Sequence, residues 1–441
     1  MKRWIAFGMA AVMLFALSGC GGKKPADVAP KAYALPQAVY PEMAPYPEES
    51  GGQTAYEKWW EGQSARRKNV VDYAPLQSFF VQSMGVFLGE NDGKNKVCSP
   101  LNVYMALSML AELTDGESRE EILELLGSED MDALRQQAQN VWNTHYCADG
   151  ATTTLLANSL WMNEDVQFKE DALERLAGIY RASSYQGRMG SAELDKALQD
   201  WLNAQTMGLL SEQVKDVTLE AQTVLALAST IAFQAKWDHE FSASDTAEGV
   251  FHAAAGDVTC DFLHQDGTAA YYWGETFGAV SKRFEGGETM WFFLPDEGVT
   301  AETLATDEAV AQLLRAPYEW ENCKSLIVNF SVPKFDVTSQ LELSDGLKML
   351  GVEAVFDAAR ADFSPVTEKV DNIAVSRVQH DARVMIDEEG CTAVAYTVIP
   401  MAGAALPPKE EMDFVLDRPF FFVITGIDGA PLFAGVVNSP D

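Results

Sequence analysis

The sequence is poor in positive charge: 32 Lys and Arg stand against 65 Asp and Glu, a formal net charge of −33. No basic stripe interrupts that balance, which argues strongly against nucleic acid and polyanions as partners. It leaves a solvated, self-repelling surface and favours basic proteins, if any, as binders. Histidine is also scarce, with 5 in the chain, and His145, His239, His252 and His264 have no ligand-like spacing. No HExxH or GxSxG occurs, and Ser331-Val332-Pro333-Lys334, a formal SxxK match, lies in a strand-like run with no later Lys-Thr-Gly. We therefore expect neither enzyme, metal nor cofactor. The 6 cysteines form no CxxC pair. Setting Cys20 aside, an odd set remains (Cys98, Cys147, Cys260, Cys323 and Cys391), which reads as mostly buried small apolar residues with no disulfide framework.

What is present is a chain of 441 residues, 47% hydrophobic and 22% charged, ample for one large core. Lys2 and Arg3 open it with charge, Trp4 to Leu17 is apolar, and Leu17-Ser18-Gly19-Cys20 closes the run. That pattern is a signal peptide, too short and wrongly flanked to span a membrane as a helix, and is expected to lie outside the fold. Its ending resembles the lipobox of bacterial lipoproteins, which implies a lipid-modified Cys20 at the mature amino terminus and an extracytoplasmic, surface-anchored or secreted protein. Residues 20–68 carry Pro25, Pro30, Pro36, Pro41, Pro45 and Pro47 without apolar periodicity and read as a semi-rigid tether. Trp59 and Trp60 are the residues there fit to dock on a domain.

Residues 69–441 contain no fixed repeat and no internal linker, so one domain is expected. Ser99-Pro100 is an N-cap and first-turn pair ahead of Val103, Ala106, Leu107, Leu110 and Ala111 at helical spacing, with Gly116 as a stop. Glu117 to Leu126 continues as a charged amphipathic helix, and Leu194, Leu198, Trp201 and Leu202 mark another. Thr223 to Trp237, Thr289 to Leu294 and Ser325 to Phe330 read as strands. Asp428-Gly429 joins Phe420 to Thr425 with Leu432 to Val437 as a hairpin. Helices early and strands late predict an α+β fold with large sheets.

One segment breaks the pattern. More than twenty residues separate the strand-like Ile373 to Asp387 from Phe414, a length that is usually functional or disordered. Cys391 to Met401 is uncharged and rich in Ala, Val, Thr and Ile, with a Tyr, and could form a strand. Ala402-Gly403-Ala404-Ala405 and Leu406-Pro407-Pro408 suit an exposed peptide. Such a stretch can serve as either loop or strand.

These residues resemble the serpin family, and the resemblance spans nearly all of 69–441. It is carried by Asn95-Lys96-Val97-Cys98-Ser99-Pro100, by Phe233-Gln234-Ala235-Lys236-Trp237 within Val224 to Phe241, and by Val332-Pro333-Lys334-Phe335, Leu347 to Gly351 and Phe356. Glu388-Glu389-Gly390 resembles the loop hinge; Asp417-Arg418-Pro419-Phe420 and Leu432-Phe433-Ala434-Gly435 resemble the closing hairpin. The resemblance implies helices packed on three β-sheets with an exposed reactive-centre loop. It also implies a suicide mechanism: a serine protease attacks the loop, an acyl-enzyme forms, and the upstream half of the loop inserts into the main sheet with the protease attached.

By that resemblance the hinge is Glu388, Glu389, Gly390, Cys391, Thr392, Ala393, Val394 and Ala395, with Cys391 where Thr is usual and Thr392 where Glu is common. Strand alternation sets Cys391, Ala393, Ala395, Thr397 and Ile399 on one face, free of charge, while Pro400 costs a ladder bond. Counting sixteen from Glu388 makes Ala404-Ala405 the scissile bond, suited to elastase-like or subtilisin-like proteases; a slip of one leaves Ala or Gly, and a slip of three gives Met401. A control cluster is expected from Ser99, Asn102, Ser229, Trp237 and His380, with Asn102 where Ser is usual and Ser229 where Asn is usual. That exchange predicts a hydrogen-bonded network with its donors and acceptors swapped. No heparin-like activator is expected, and the molecule reads as a monomer. A non-inhibitory serpin-fold surface protein is the alternative, and a solute-binding lipoprotein is the more distant one.

Overall fold

The computed structural model describes residues 9–18 as backbone, and 35–46, 52–68, 73–90, 92–149, 152–367, 370, 372–390, 408 and 410–440. Sixteen strands occur among them: β1 (Met9–Ser18), β2 (Lys96–Cys98), β3 (Cys147–Ala148), β4 (Thr152–Asn163), β5 (Ala182–Gly187), β6 (Thr223–Ala235), β7 (Ala247–Ala253), β8 (Gly256–Trp273), β9 (Phe277–Arg283), β10 (Thr289–Pro295), β11 (Cys323–Pro333), β12 (Asp336–Glu342), β13 (Ala374–Met385), β14 (Glu411–Val415), β15 (Phe420–Thr425) and β16 (Pro431–Val437). The helices that frame the site are α1 (Gly52–Arg67), α2 (Ala74–Leu88), α3 (Pro100–Leu113), α4 (Gly116–Leu125), α5 (Met131–His145), α6 (Glu170–Ile179) and α7 (Ala192–Gln205).

Helix α3 starts as its sequence requires. Ser99 is extended (φ −115°), its hydroxyl accepts from the Asn102 N–H, and Pro100 fills the first turn where no donor is missed. Every residue of α3 is buried. One face meets β6, the other the β16 side of the core, and this helix is the axle of the molecule.

The main sheet has seven strands in the order β12-β13-β1-β6-β4-β3, with β5 on β4. The second has nine, β14-β11-β8-β9-β10-β15-β16-β2, with β7 on β8. Strand β8 runs through 18 residues, pairing with β7 near its start and β9 near its end. The three expected sheets are thus connected as two hydrogen-bonded assemblies. The turn at Asp428-Gly429 joins β15 to β16, with Gly429 at φ +88°. Side chains on β6 alternate between two cores. Leu225, Leu227, Ile231 and Phe233 enter the main one with α3, whereas Ala226, Ala228 and Ala232 meet Trp161 and the Leu194, Leu198 and Leu202 stripe of α7.

Two expectations about the amino-terminal region differ from the structure. Met9–Ser18, expected outside the fold, forms β1 in the middle of the main sheet of the intact chain. The tether does not run as a free spacer. Residues 35–46 lie along the sheet edge, where Ser184 N donates to Pro36 O (3.0 Å) and Tyr46 N to Asp149 O (2.6 Å). Tyr40 stacks on Tyr146 at 5.6 Å. Gly52–Arg67 is helical, because Trp59, Gln63 and Arg66 all bury polar side chains with distant partners. Trp59 Nε1 (2.7 Å) and Gln63 Nε2 (2.5 Å) donate to Asp149 Oδ2. The Arg66 guanidinium meets Glu288 at 2.5 Å, with 3% and 1% of the two side chains exposed. The expected docking falls to Trp59, which is buried, and not to Trp60, which is exposed.

Among the cysteines, Cys98 and Cys147 are buried, Cys260 is half-buried and Cys323 is exposed. His145 is buried against Asp428 at 3.2 Å, and His252 is an exposed partner of Asp257.

Candidate functional site: the hinge and the strand-wide slot

Strands β6 and β13 do not pair with each other. Each pairs antiparallel with β1 instead, so the sheet holds a position one strand wide between them. The hinge sits at one end of that position, just after β13. Gly390 bridges Lys236, the residue that follows β6. Its φ of +108° lies where only glycine is comfortable. A Cβ there would fall 2.6 Å from Trp237 N and 2.7 Å from Ala235 O. Glycine is therefore required here twice, for its φ and for the close approach of the neighbouring backbone.

The two glutamates of the hinge are held differently. Glu388 bonds the Lys334 ammonium at 2.9 and 3.1 Å and accepts from Thr246 Oγ1 at 2.9 Å. Burial opposes its ionisation, but Lys334 and Thr246 outweigh this and hold its pKa below the usual value. The Glu389 N–H donates to Asp387 Oδ1 at 3.0 Å. Burial pushes the Asp387 carboxyl up to about 6, with Glu388 and Glu389 adding to the effect. Backbone bonds finish the anchorage: Phe241 N to Glu388 O at 2.8 Å and Trp237 N to Glu389 O at 3.3 Å.

Trp237 is the roof of this end. Its Nε1 donates to Asp387 O at 3.0 Å, and its ring stacks on Phe284 at 4.4 Å. Lys282 is buried beneath, with Nζ 4.3 Å from the Phe241 ring centre and 5.4 Å from that of Trp237. It donates to His239 O and Gln265 Oε1, both at 2.5 Å, and burial lowers its pKa to about 7. Sequence reasoning missed Lys282 and the partnership of Lys334 with Glu388. Lys334 was visible within Val332-Pro333-Lys334-Phe335, but its partner is 54 residues away.

Midway along the slot lies the polar cluster. Ser229 Oγ donates to Asn102 Oδ1 at 2.6 Å, and Asn102 Nδ2 donates back to Ser229 O at 3.2 Å. The amide therefore stands on the helix and the hydroxyl on the strand, the exchanged arrangement expected from the sequence. Ser99 links the remaining partner: its N–H donates to His380 Nε2 at 3.0 Å, and its hydroxyl to Leu432 O at 2.5 Å. All four side chains are no more than 1% exposed. Ser229 and His380 are both opposite Met13 of β1, so the cluster underlies the centre of the slot. Trp237 belongs to the hinge end and not to this cluster.

Cys391, Thr392, Ala393, Val394, Ala395, Ala404 and Ala405 lie outside the described residues, as does Cys20.

The family model for serpins, serine protease inhibitors, matches residues 76–440. Serpin-Z2A of rice is 29% identical over 401 residues, covering 80% of this chain and 93% of that protein. A serine proteinase inhibitor of the guinea pig is 29% identical over 373 residues, covering 82% and 88%. Among solved structures, the thermophilic serpin tengpin in its native state superposes with a TM-score of 0.72 at 22% identity, over 83% of this chain and 94% of that one. Native Arabidopsis AtSerpin1 gives 0.70 at 24% identity, over 85% and 98%; at these identities the likeness speaks for the fold alone. With a family match across almost the whole folded body, the chain belongs to the serpin family, whose members are generally protease inhibitors and not catalysts.

Proposed function

We propose that the mature protein is a suicide inhibitor of serine proteases, with Ala404-Ala405 as the attacked bond. One observation carries the reading: the hinge ends at Gly390, already bridged to Lys236, at the mouth of a strand-wide position in the main sheet. A strand continuing antiparallel from that bridge would put Ala393 opposite Phe233 and Met401 opposite Leu225. Ala393, Ala395, Thr397 and Ile399 would then share the face that β6 turns to α3, and none carries charge. Each ladder bond gained contributes about 1 kcal/mol net, so the single bond lost at Pro400 shortens insertion and does not prevent it.

The protease enters as the acyl partner. Its serine attacks the Ala404 carbonyl, the Ala405 amine leaves, and insertion drags the ester away before water resolves it. A small residue at the bait suits the shallow pocket of an elastase-like or subtilisin-like enzyme. Asn102, Ser229 and His380, joined through Ser99, stand on the two strands that flank the slot and on the helix beneath it, which supports a role in controlling insertion. We further propose that the leader is removed ahead of a lipid-bearing Cys20, so that a monomer works outside the cytoplasm on a membrane anchor without a heparin-like activator. Incubation of residues 21–441 with pancreatic elastase tests the function: a complex that survives denaturing electrophoresis supports inhibition, and clean loop cleavage without it marks a substrate.

A further inference from the structure

The slot in the intact chain is occupied by its own amino-terminal segment. Met9 to Leu17 pairs in an unbroken antiparallel register with Phe233 to Leu225, and Ala10 to Ala16 with Arg383 to Arg377. The Lys236–Gly390 bridge would carry an inserted loop onto the same partners. In that register Ala393 would meet Phe233, which Met9 holds, and Met401 would meet Leu225, which Leu17 holds. Both segments are uncharged, an inserted loop would run antiparallel to β6 and β13 as β1 does, and only one can use those backbone groups.

We propose that residues 9–18 are a self-plug, which bars loop insertion while attached and whose removal ahead of Cys20 arms the inhibitor. The idea rests on the inhibitory reading above for its consequence, though not for the occupancy itself. Removal is hydrolysis of the Gly19–Cys20 peptide bond: one water is consumed, leaving a carboxylate on Gly19 and an amine on Cys20. An inhibitor of this kind is harmless before export, because a plugged molecule is only a substrate.

The test compares the full chain carrying C20A, produced without export so that it stays unprocessed, with residues 21–441. Thermal midpoint and covalent complex with elastase are both read. A plug that leaves about one molecule in a hundred open lowers complex yield roughly a hundredfold. The full chain should also melt higher, and a synthetic peptide of residues 9–18 should raise the midpoint of the shorter chain and abolish its complex. M13D, a charge placed opposite Ser229 and His380, should return complex formation to the full chain. Equal midpoints and equal yields for the two chains overturn the plug. If neither forms a complex while the full chain still melts higher and the peptide still stabilises the shorter one, the plug stands and the inhibitory reading falls.

Discussion

Exchanging Asn102 and Ser229 tests the polar cluster directly. Asn102→Ser shortens the helix side chain so that it no longer reaches β6, stripping the two bonds of 2.6 and 3.2 Å. The Ser229 hydroxyl is then buried without its partner, at 1% exposure. An unmade buried hydrogen bond costs about 1–3 kcal/mol, and the second lost bond about 1 kcal/mol, giving about 2–4 kcal/mol in all. Ser229→Asn alone sets two amides face to face and overfills the site, for about 1–3 kcal/mol. The double variant places the amide on the strand and the hydroxyl on the helix, so the hydroxyl-to-amide bond between the two side chains can form again. Urea unfolding of residues 21–441, followed by tryptophan fluorescence, should show the double variant about 1–2 kcal/mol more stable than the sum of the singles requires. Losses that simply add, within about 0.5 kcal/mol, would refute the reciprocal network.

Gly390→Ala should slow or abolish complex formation while leaving loop cleavage intact, because a Cβ would sit 2.6 Å from Trp237 N; the ratio of complex to cleaved product on a gel checks it. Arg66→Ala strands Glu288 at 1% side-chain exposure and should cost about 3–5 kcal/mol in urea unfolding, whereas a free spacer helix would cost nothing. Asp381 and Asp387 should each favour the fold on acidification: burial pushes them up to about 6 from an ordinary 3.8, so the native state binds the extra protons. Their contribution grows as pH falls through 6 toward 4, so Asp387→Asn should make unfolding midpoints respond less favourably to acid than those of the unaltered chain over that range. Burial sets Lys282 the other way, about 7 in place of 10.5. The unfolded chain then binds more protons, stability climbs from pH 7 toward 10, and Lys282→Met should remove that slope.

The parts of the fold legible in the sequence are those set by neighbours in the chain. Ser99-Pro100 starts α3 and Asp428-Gly429 turns the last hairpin, because capping and turn geometry are decided within four residues. The charge-free run from Thr223 gave β6 because both its faces are covered. Strand β4 escaped, since Thr152, Thr154, Asn158 and Ser159 look like loop residues. All four are buried, and the partner that makes burial of Asn158 tolerable lies well along the chain: its Nδ2 reaches Tyr180 O at 2.6 Å. The same reason hid α1, whose Arg66 has its partner 222 residues away. Within the site, Gly390 and the Asn102–Ser229 exchange could be anticipated. The Lys334 and Lys282 contacts could not, as no local pattern encodes which carboxylate or ring a lysine will meet. The occupant of the slot was hidden most deeply, because an apolar run of leader length satisfies a central strand as readily as it satisfies an export signal.

The central claim is that the loop is attacked at Ala404 and carries the protease away. Intact-mass analysis of residues 21–441 after reaction with elastase measures this directly. The account predicts a covalent adduct of protease with residues 21–404, and a released fragment beginning at Ala405 and ending at Asp441. Two free fragments beside fully active protease would contradict it.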